Sequence, residues 1–219
     1  LDADGELAGV TCRVAQFGAR TAGMRRYLEW QNGLLTHEAM AAERFVEIPA
    51  LHQTGLYRAA ALRALGGYAP RGDWPADIDV WLRWFEHDEL VAPLRVAKLP
   101  RVLYRWRQHG AQSTRGGGTH ALARLRACKA HYVARLVGRR GARPAAVRLL
   151  STGATLDAWR AALTTAGVEV ARAEAWSPGR PLPPAPPGAL TLAAYGMAGV
   201  RARLRAALAS AASATLFVA

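Results

Sequence analysis

Asp73-Trp74-Pro75-Ala76-Asp77-Ile78-Asp79-Val80-Trp81-Leu82-Arg83-Trp84-Phe85 carries the clearest structural signal in this chain. Asp73-Trp74-Pro75 predicts a helix start, because proline suits the first turn and is excluded from the interior. Ile78, Trp81, Leu82 and Phe85 then recur at i, i+3, i+4 and i+7 and predict one buried stripe. Asp79 and Arg83 stand four apart on another face, placed to form an ion pair. Asp77 lies in the first turn and off the stripe. A carboxylate there is favoured by the helix dipole, and beside aromatic rings it is also positioned as a general base.

Upstream, Met24–Asn32 and His37–Arg44 read as short helices, the second with Thr36 as N-cap. Ala50–Tyr57 is expected to be a strand. Ala59–Leu65 is expected to be a helix stopped by Gly66-Gly67. Leu1-Asp2-Ala3-Asp4 reads as the end of a strand. Downstream, Val102–Arg107 alternates, with Val102, Tyr104 and Trp106 on one face and Leu103, Arg105 and Arg107 on the other. Gly116-Gly117-Gly118 predicts a loop before a long helix, His120–Val137.

A second region, 143–219, follows a strand–helix rhythm. The pattern predicts strands at Ala146–Leu150, Val168–Ala173, Leu190–Ala194 and Thr215–Val218, with helices at Leu156–Ala166 and Ala198–Ala209. Pro178–Pro187 is proline-rich and irregular. Such alternation implies a small parallel, Rossmann-like sheet. Its first turn, Ser151-Thr152-Gly153-Ala154-Thr155, lacks the three-glycine dinucleotide fingerprint, so the architecture is expected without the cofactor.

With 219 residues and 51% hydrophobic content, the chain has ample material for a buried core and is far from the disordered regime. Two cysteines, Cys12 and Cys128, exclude a disulfide framework and a four-cysteine zinc site. No apolar run is long enough to span a bilayer and no signal segment opens the sequence, which together predict a soluble, cytoplasmic chain. The start at Leu1 instead of Met suggests a chain that begins in mid-domain. The net charge is +13, and nearly all of the basic residues are arginine, the only lysines being Lys98 and Lys129. Part of that charge is compositional, given the accompanying Ala, Gly and Pro. Its distribution carries more information: residues 91–140 contain no acid and a run of arginines, a stripe that would attract diphosphate, nucleic acid or an anionic membrane surface.

Three places could carry chemistry. Asp2 and Asp4, one residue apart, are hard oxygen ligands suited to magnesium or manganese. Asp77 is the candidate base. His109, in Trp106-Arg107-Gln108-His109, could ligate a metal or donate to a phosphate, whereas His52 reads as structural or acceptor-facing. No serine or cysteine nucleophile motif, P-loop or H-E-x-x-H pattern occurs.

Taken in order, Leu1-Asp2-Ala3-Asp4, Pro49-Ala50-Leu51-His52-Gln53-Thr54, Leu65-Gly66-Gly67-Tyr68, Trp74–Arg83 and Leu103-Tyr104-Arg105-Trp106-Arg107-Gln108-His109 resemble inverting family 2 glycosyltransferases of the GT-A fold. The match covers Leu1 to about Val137. Thr11–Val14 and Arg26–Asn32, with the late Rossmann-like region, are most similar to the queuosine-tRNA galactosyltransferase group. The resemblance implies an α/β chain: residues 1–137 as the C-terminal part of a GT-A domain and 143–219 as a small Rossmann-like domain. It implies a divalent metal, Mn or Mg, and a nucleotide-sugar donor such as a UDP-sugar, with a glycan, a lipid-linked sugar or a modified tRNA as acceptor. Asp2 and Asp4 match the metal and nucleotide-sugar motif, and Asp77 matches the base. Arg107 and His109 match the pair that approaches the diphosphate, with His109 completing the metal shell. His52, Gly66, Gly67, Tyr68 and Trp74 match the acceptor side.

Two departures stand out. Ala76-Asp77 replaces the family's Glu-Asp, and Gly5 replaces a frequent third aspartate. The family's nucleotide-binding half precedes the Asp-x-Asp motif and is not in this sequence, so the chain is expected to be a fragment. The alternative reading is a non-catalytic, degenerate transferase that grips RNA or an anionic surface, with peripheral contact at the inner face of the membrane.

Overall fold

The structure, a computed structural model, describes residues 1, 4–19, 21–69, 72–110, 112, 118–139, 147–186, 188–208 and 214–219. The chain divides into two compact units, Leu1–Ala121 and Leu122–Ala219. The 1–137 and 143–219 division expected from sequence falls one helix later.

In the first unit the elements run β1 (Leu7–Gly18), α1 (Ala22–Gly33), α2 (His37–Glu43), a 3₁₀ turn (His52–Thr54), β2 (Leu56–Tyr57), α3 (Ala59–Ala64), α4 (Ala76–Leu90), β3 (Arg95–Gln108) and a second 3₁₀ turn (Gly118–His120). The sheet order is β2-β1-β3, with β1 antiparallel to β2 and parallel to β3 along its whole length. Beyond its short pairing with β2, one edge of β1 would be left bare. The Asn32 side chain covers it, accepting from the Val14 N–H and donating to the Val14 carbonyl, each at 2.9 Å. An unsatisfied buried backbone group costs about as much as a lost hydrogen bond, so one amide here does the work of a neighbouring strand.

Thr36 caps α2 as expected, its hydroxyl accepting from the Ala39 N–H at 3.2 Å. Gly66 and Gly67 stop α3 with φ of 81° and 72°, a region that favours glycine. The stripe Ile78, Trp81, Leu82 and Phe85 on α4 is buried, but so are Asp79, Val80, Arg83 and Trp84. This helix is therefore surrounded, and the Asp79–Arg83 face is not a solvent face.

Several sequence expectations are corrected. Ala50–Tyr57 is not a strand; only Leu56–Tyr57 pairs, after the 3₁₀ turn. The reason is that the preceding carbonyls are already engaged by side chains. Gln31 donates to the Ile48 carbonyl, Lys98 to that of Pro49 and Trp81 to that of Ala50. Nor do Leu1 and Asp4 lie in a strand. The first strand starts at Leu7, after a turn closed by the Leu7 N–H on the Asp4 carbonyl. The expected alternation at Val102–Arg107 lies in a 14-residue strand, but Arg13 pairs with Val102 and Val14 with Tyr104, so the register skips Leu103 and Val102 does not share a face with Tyr104 and Trp106. Of the predicted glycine loop, Gly116 and Gly117 lie outside the described residues, and Gly118 begins a 3₁₀ turn.

The second unit runs α5 (Leu122–Gly138), β4 (Val147–Ser151), α6 (Gly153–Thr165), β5 (Val170–Ala175), β6 (Leu190–Ala194), α7 (Ala198–Leu208) and β7 (Thr215–Val218). All its strand pairings are parallel, in the order β5-β4-β6-β7. β4 and β6 are buried throughout, as central strands of a sheet covered on both faces must be. Arg148 lies in this core and is neutralised by Glu174 at 3.0 Å.

Candidate functional site

The first unit gathers its sequence-predicted acceptor residues and Asp77 at the start of α4. Pro75 occupies the N-cap position, and Asp77 follows in the first turn with its Oδ1 accepting from the Ile78 N–H at 2.8 Å. One carboxylate oxygen is thus held by the helix N-terminus, where the aligned N–H groups favour negative charge. Asp77 is half-buried.

His52 approaches from the 3₁₀ turn. Its Nε2 lies 3.1 Å from the Asp77 carbonyl. A carbonyl oxygen can only accept, so Nε2 carries the proton and Nδ1 is a bare lone pair. Nδ1 is buried without a partner among the described residues. Burial pushes the His52 pKa below the ordinary imidazole value, and the Asp77 carbonyl only partly opposes that. The ring stacks on Trp81 and meets Tyr68 edge-on, both at 5.2 Å between centroids, with Tyr57 at 5.8 Å. His52 therefore reaches the site through the Asp77 backbone and the Tyr68 ring, its free nitrogen being shut away from solvent.

The Gly66-Gly67-Tyr68 turn is fixed from beneath by Arg83. Its guanidinium donates to the Leu65 carbonyl and, at 3.3 Å, to the Ala69 carbonyl, which flank the turn. Arg83 is in turn held by Asp79 at 2.8 Å, whose other oxygen accepts from Trp74 Nε1 at 2.9 Å. The pair thus orients two of the predicted acceptor residues, Tyr68 and Trp74. Gly72 lets the Trp74 ring fold over it, since a Cβ there would lie 2.3 Å from the indole.

Residues that carried no assigned role in the sequence complete this region. Gln31 donates to the Tyr27 hydroxyl at 2.7 Å and to the Ile48 carbonyl at 3.2 Å. Burial first, and then the carboxylates of Glu47 and Asp77, push the Tyr27 hydroxyl pKa well up. Tyr27 therefore remains a neutral hydroxyl, held by Gln31. The Tyr27–Gln31 spacing of four residues was the available signal, and Glu47 had none.

Of the residues expected to hold a metal, the described Asp4 and His109 are not brought together. Asp2 lies outside the described residues. Asp4 is exposed, with Oδ1 accepting from the Glu6 N–H at 3.0 Å. His109 is exposed, and its N–H donates to Gln112 Oε1 at 3.3 Å. Asp4 precedes the Leu7↔Arg95 end of the β1–β3 ribbon, while Arg107 and His109 sit at its Gly18↔Gln108 end. Eleven steps at about 3.3 Å separate these ends by roughly 35 Å, far beyond the reach of one ion. His109 thus does not complete a shell with Asp4, and no group of three or more His, Cys, Asp or Glu suited to a metal occurs among the described residues. Nor does any hydrogen bond or ion pair among those residues join Asp77 to Asp4, Arg107 or His109.

In the second unit, the turn after β4 satisfies its own hydroxyls. Ser151 Oγ lies 2.6 Å from Thr155 Oγ1 and donates to the Ala194 carbonyl at 3.3 Å, and Thr152 Oγ1 lies 3.0 Å from the same Thr155 oxygen. Comparison of the chain with protein-family models, with curated proteins and with solved structures gives no match.

Proposed function

We propose that the first unit is the C-terminal part of an inverting GT-A glycosyltransferase domain of family 2, and that Asp77 is its base. The proposal extends to the second unit as a small Rossmann-like domain, whose strand order is that of the opening strands of doubly wound folds. The observation that carries the reading is the placement of Asp77. A half-buried carboxylate, fixed by a helix N-terminus, stands beside an aromatic group formed by His52, Tyr68 and Trp81. Of these rings Tyr68, 45% exposed, offers a face suited to a sugar or nucleoside acceptor, and a positioned carboxylate suits removal of a hydroxyl proton.

In the reaction, the acceptor hydroxyl oxygen attacks the anomeric carbon of a nucleotide-diphosphate sugar. Asp77 takes the hydroxyl proton as the new C–O bond forms. The bond from the anomeric carbon to the diphosphate oxygen breaks with its electron pair, and the nucleoside diphosphate leaves. Attack opposite the leaving group inverts the anomeric configuration. Because Asp4 and His109 stand at opposite ends of the ribbon, no step here is routed through a metal. Asp4 is the described carboxylate ahead of the Leu7 end of the ribbon.

The test uses the complete encoded polypeptide, supplied with UDP-sugars and candidate hydroxyl acceptors. Asp77→Asn is expected to lower turnover by at least about a hundredfold while donor binding persists. Transfer at the parental rate by that variant would overturn the assignment of the base.

A further inference from the structure

The outward face of β3 presents an unusual combination. Leu99, Val102 and Leu103 are 43%, 52% and 58% exposed, while Arg101, Arg105 and Arg107 around them are exposed as well. An irregularity in the β1–β3 register produces this patch. Cys12 pairs with Leu99, Arg13 with Val102 and Val14 with Tyr104, so Pro100, Arg101 and then Leu103 are extruded from the ladder. Extruded residues bend and re-aim a strand, and here five consecutive positions, 99–103, become exposed. Arg105 extends over the Phe17 ring of β1, with Cζ 5.3 Å from its centroid. Arg101, Arg105 and Arg107 have no carboxylate partner among the described residues; Arg95, at the start of the strand, pairs with Glu38 at 3.1 Å.

We propose that this face docks peripherally on an anionic phospholipid bilayer, with the aliphatic side chains entering the headgroup boundary and the arginines meeting lipid phosphates. Charge and side-chain type together select this occupant. A second copy of the chain would set one arginine array against another. Single-stranded nucleic acid is held by aromatic platforms, yet the aromatic residues of this strand, Tyr104 and Trp106, are less exposed than the residues flanking them. Exposed Leu and Val flanked by Arg is instead the composition of an interfacial membrane contact. Among the described residues no helix is long and apolar enough to cross a membrane, so the association is one of surface docking. The inference does not depend on the transferase reading.

The experiment is flotation of the protein with vesicles of phosphatidylcholine alone and of phosphatidylcholine mixed with phosphatidylglycerol. Binding is expected only to the mixed vesicles. Arg101→Gln and Arg105→Gln should each weaken it roughly fivefold, the effect expected for one basic residue near an anionic surface. Leu103→Ser should weaken it further at a salt concentration where charge attraction is screened. These positions are exposed, and circular dichroism verifies that the variants fold. Absence of binding to the mixed vesicles overturns the proposal. So does binding that is indifferent to Leu103→Ser and fully displaced by single-stranded RNA, which would mark a general polyanion face.

Discussion

Arg83 and Asp79 form an ion pair sealed inside the protein: Nε meets Oδ2 at 2.8 Å, with side-chain exposures of 2% and 0%. The pair links three elements, because Asp79 also holds Trp74 and Arg83 also holds the carbonyls on both sides of the Gly66-Gly67-Tyr68 turn. Taking two charges out of water is costly, so its stabilising value is modest, but removing one partner strands the other as a buried charge. Arg83→Met is expected to destabilise the protein by about 3–5 kcal/mol, measured by urea denaturation. Asp79→Leu in the Arg83→Met background should recover part of that loss, since the stranded charge is gone. A double variant no more stable than Arg83→Met would show that packing, not the pair, dominates.

Gly55 and Tyr57 make a second sharp test. A Cβ on Gly55 would lie 2.1 Å from the Tyr57 hydroxyl oxygen, and that hydroxyl is itself buried without a partner among the described residues. Gly55→Ala should therefore cost about 1–3 kcal/mol through overpacking. Tyr57→Phe should be neutral or stabilising, since it removes a buried oxygen that makes no bond. Because the Cβ would also lie 2.2 and 2.4 Å from the Tyr57 Cζ and Cε2, which phenylalanine keeps, the cost of Gly55→Ala should persist in the double variant, and its disappearance in thermal melts would contradict the geometry.

How much of this was legible beforehand depends on where the determining information lies. Helix α4 was readable because Pro75 and the apolar stripe are local signals, and Gly66-Gly67 because only glycine takes that turn cheaply. β6 and β7 fall where alternating hydrophobic runs placed them. The segment Ala50–Tyr57 reads as a strand from its hydrophobic pattern, while the carbonyls leading into it, Ile48 to Ala50, are claimed by Gln31, Lys98 and Trp81, residues 17 to 49 positions away. Periodicity cannot register such long-range bonds. Motif order sets Asp77 with His52, Tyr68 and Trp74; His52 bonds the Asp77 carbonyl and meets the Tyr68 ring, while Trp74 reaches the Tyr68 turn only through Asp79 and Arg83. Asp4 and His109 were grouped on the same basis, yet the strand register separates them, because motif order carries no information about which end of a ribbon a loop occupies.

His52 gives a prediction with a definite sign. Burial lowers its folded-state pKa below the ordinary value of 6.5. Below that value the unfolded chain binds a proton that the folded chain resists, so stability is lost as pH falls from 6.5 toward the folded pKa. In histidine-detected NMR, the His52 resonance should titrate below the ordinary value of 6.5. A midpoint at or above that value would contradict a buried, neutral ring.

Lys98 acts on the alkaline side. It is buried on β3, with Nζ donating to the Gln31 and Pro49 carbonyls and no carboxylate among those acceptors. Desolvation brings its pKa from 10.5 down to about 7. Between those two values the unfolded chain holds one proton more than the folded chain, so stability rises with pH, approaching about 1.4 kcal/mol per pH unit. The rise is bounded above. Tyr27, Tyr57 and Tyr195 have folded pKa values raised by burial above their ordinary 10.0, and their contribution is lost once the unfolded chain begins to ionise near that value. The expected profile is a urea midpoint that climbs from about pH 7 and levels near pH 10. Lys98→Met leaves two carbonyls without their donor and will be less stable overall, but the climb should disappear. An unchanged slope in Lys98→Met would assign the effect to another group.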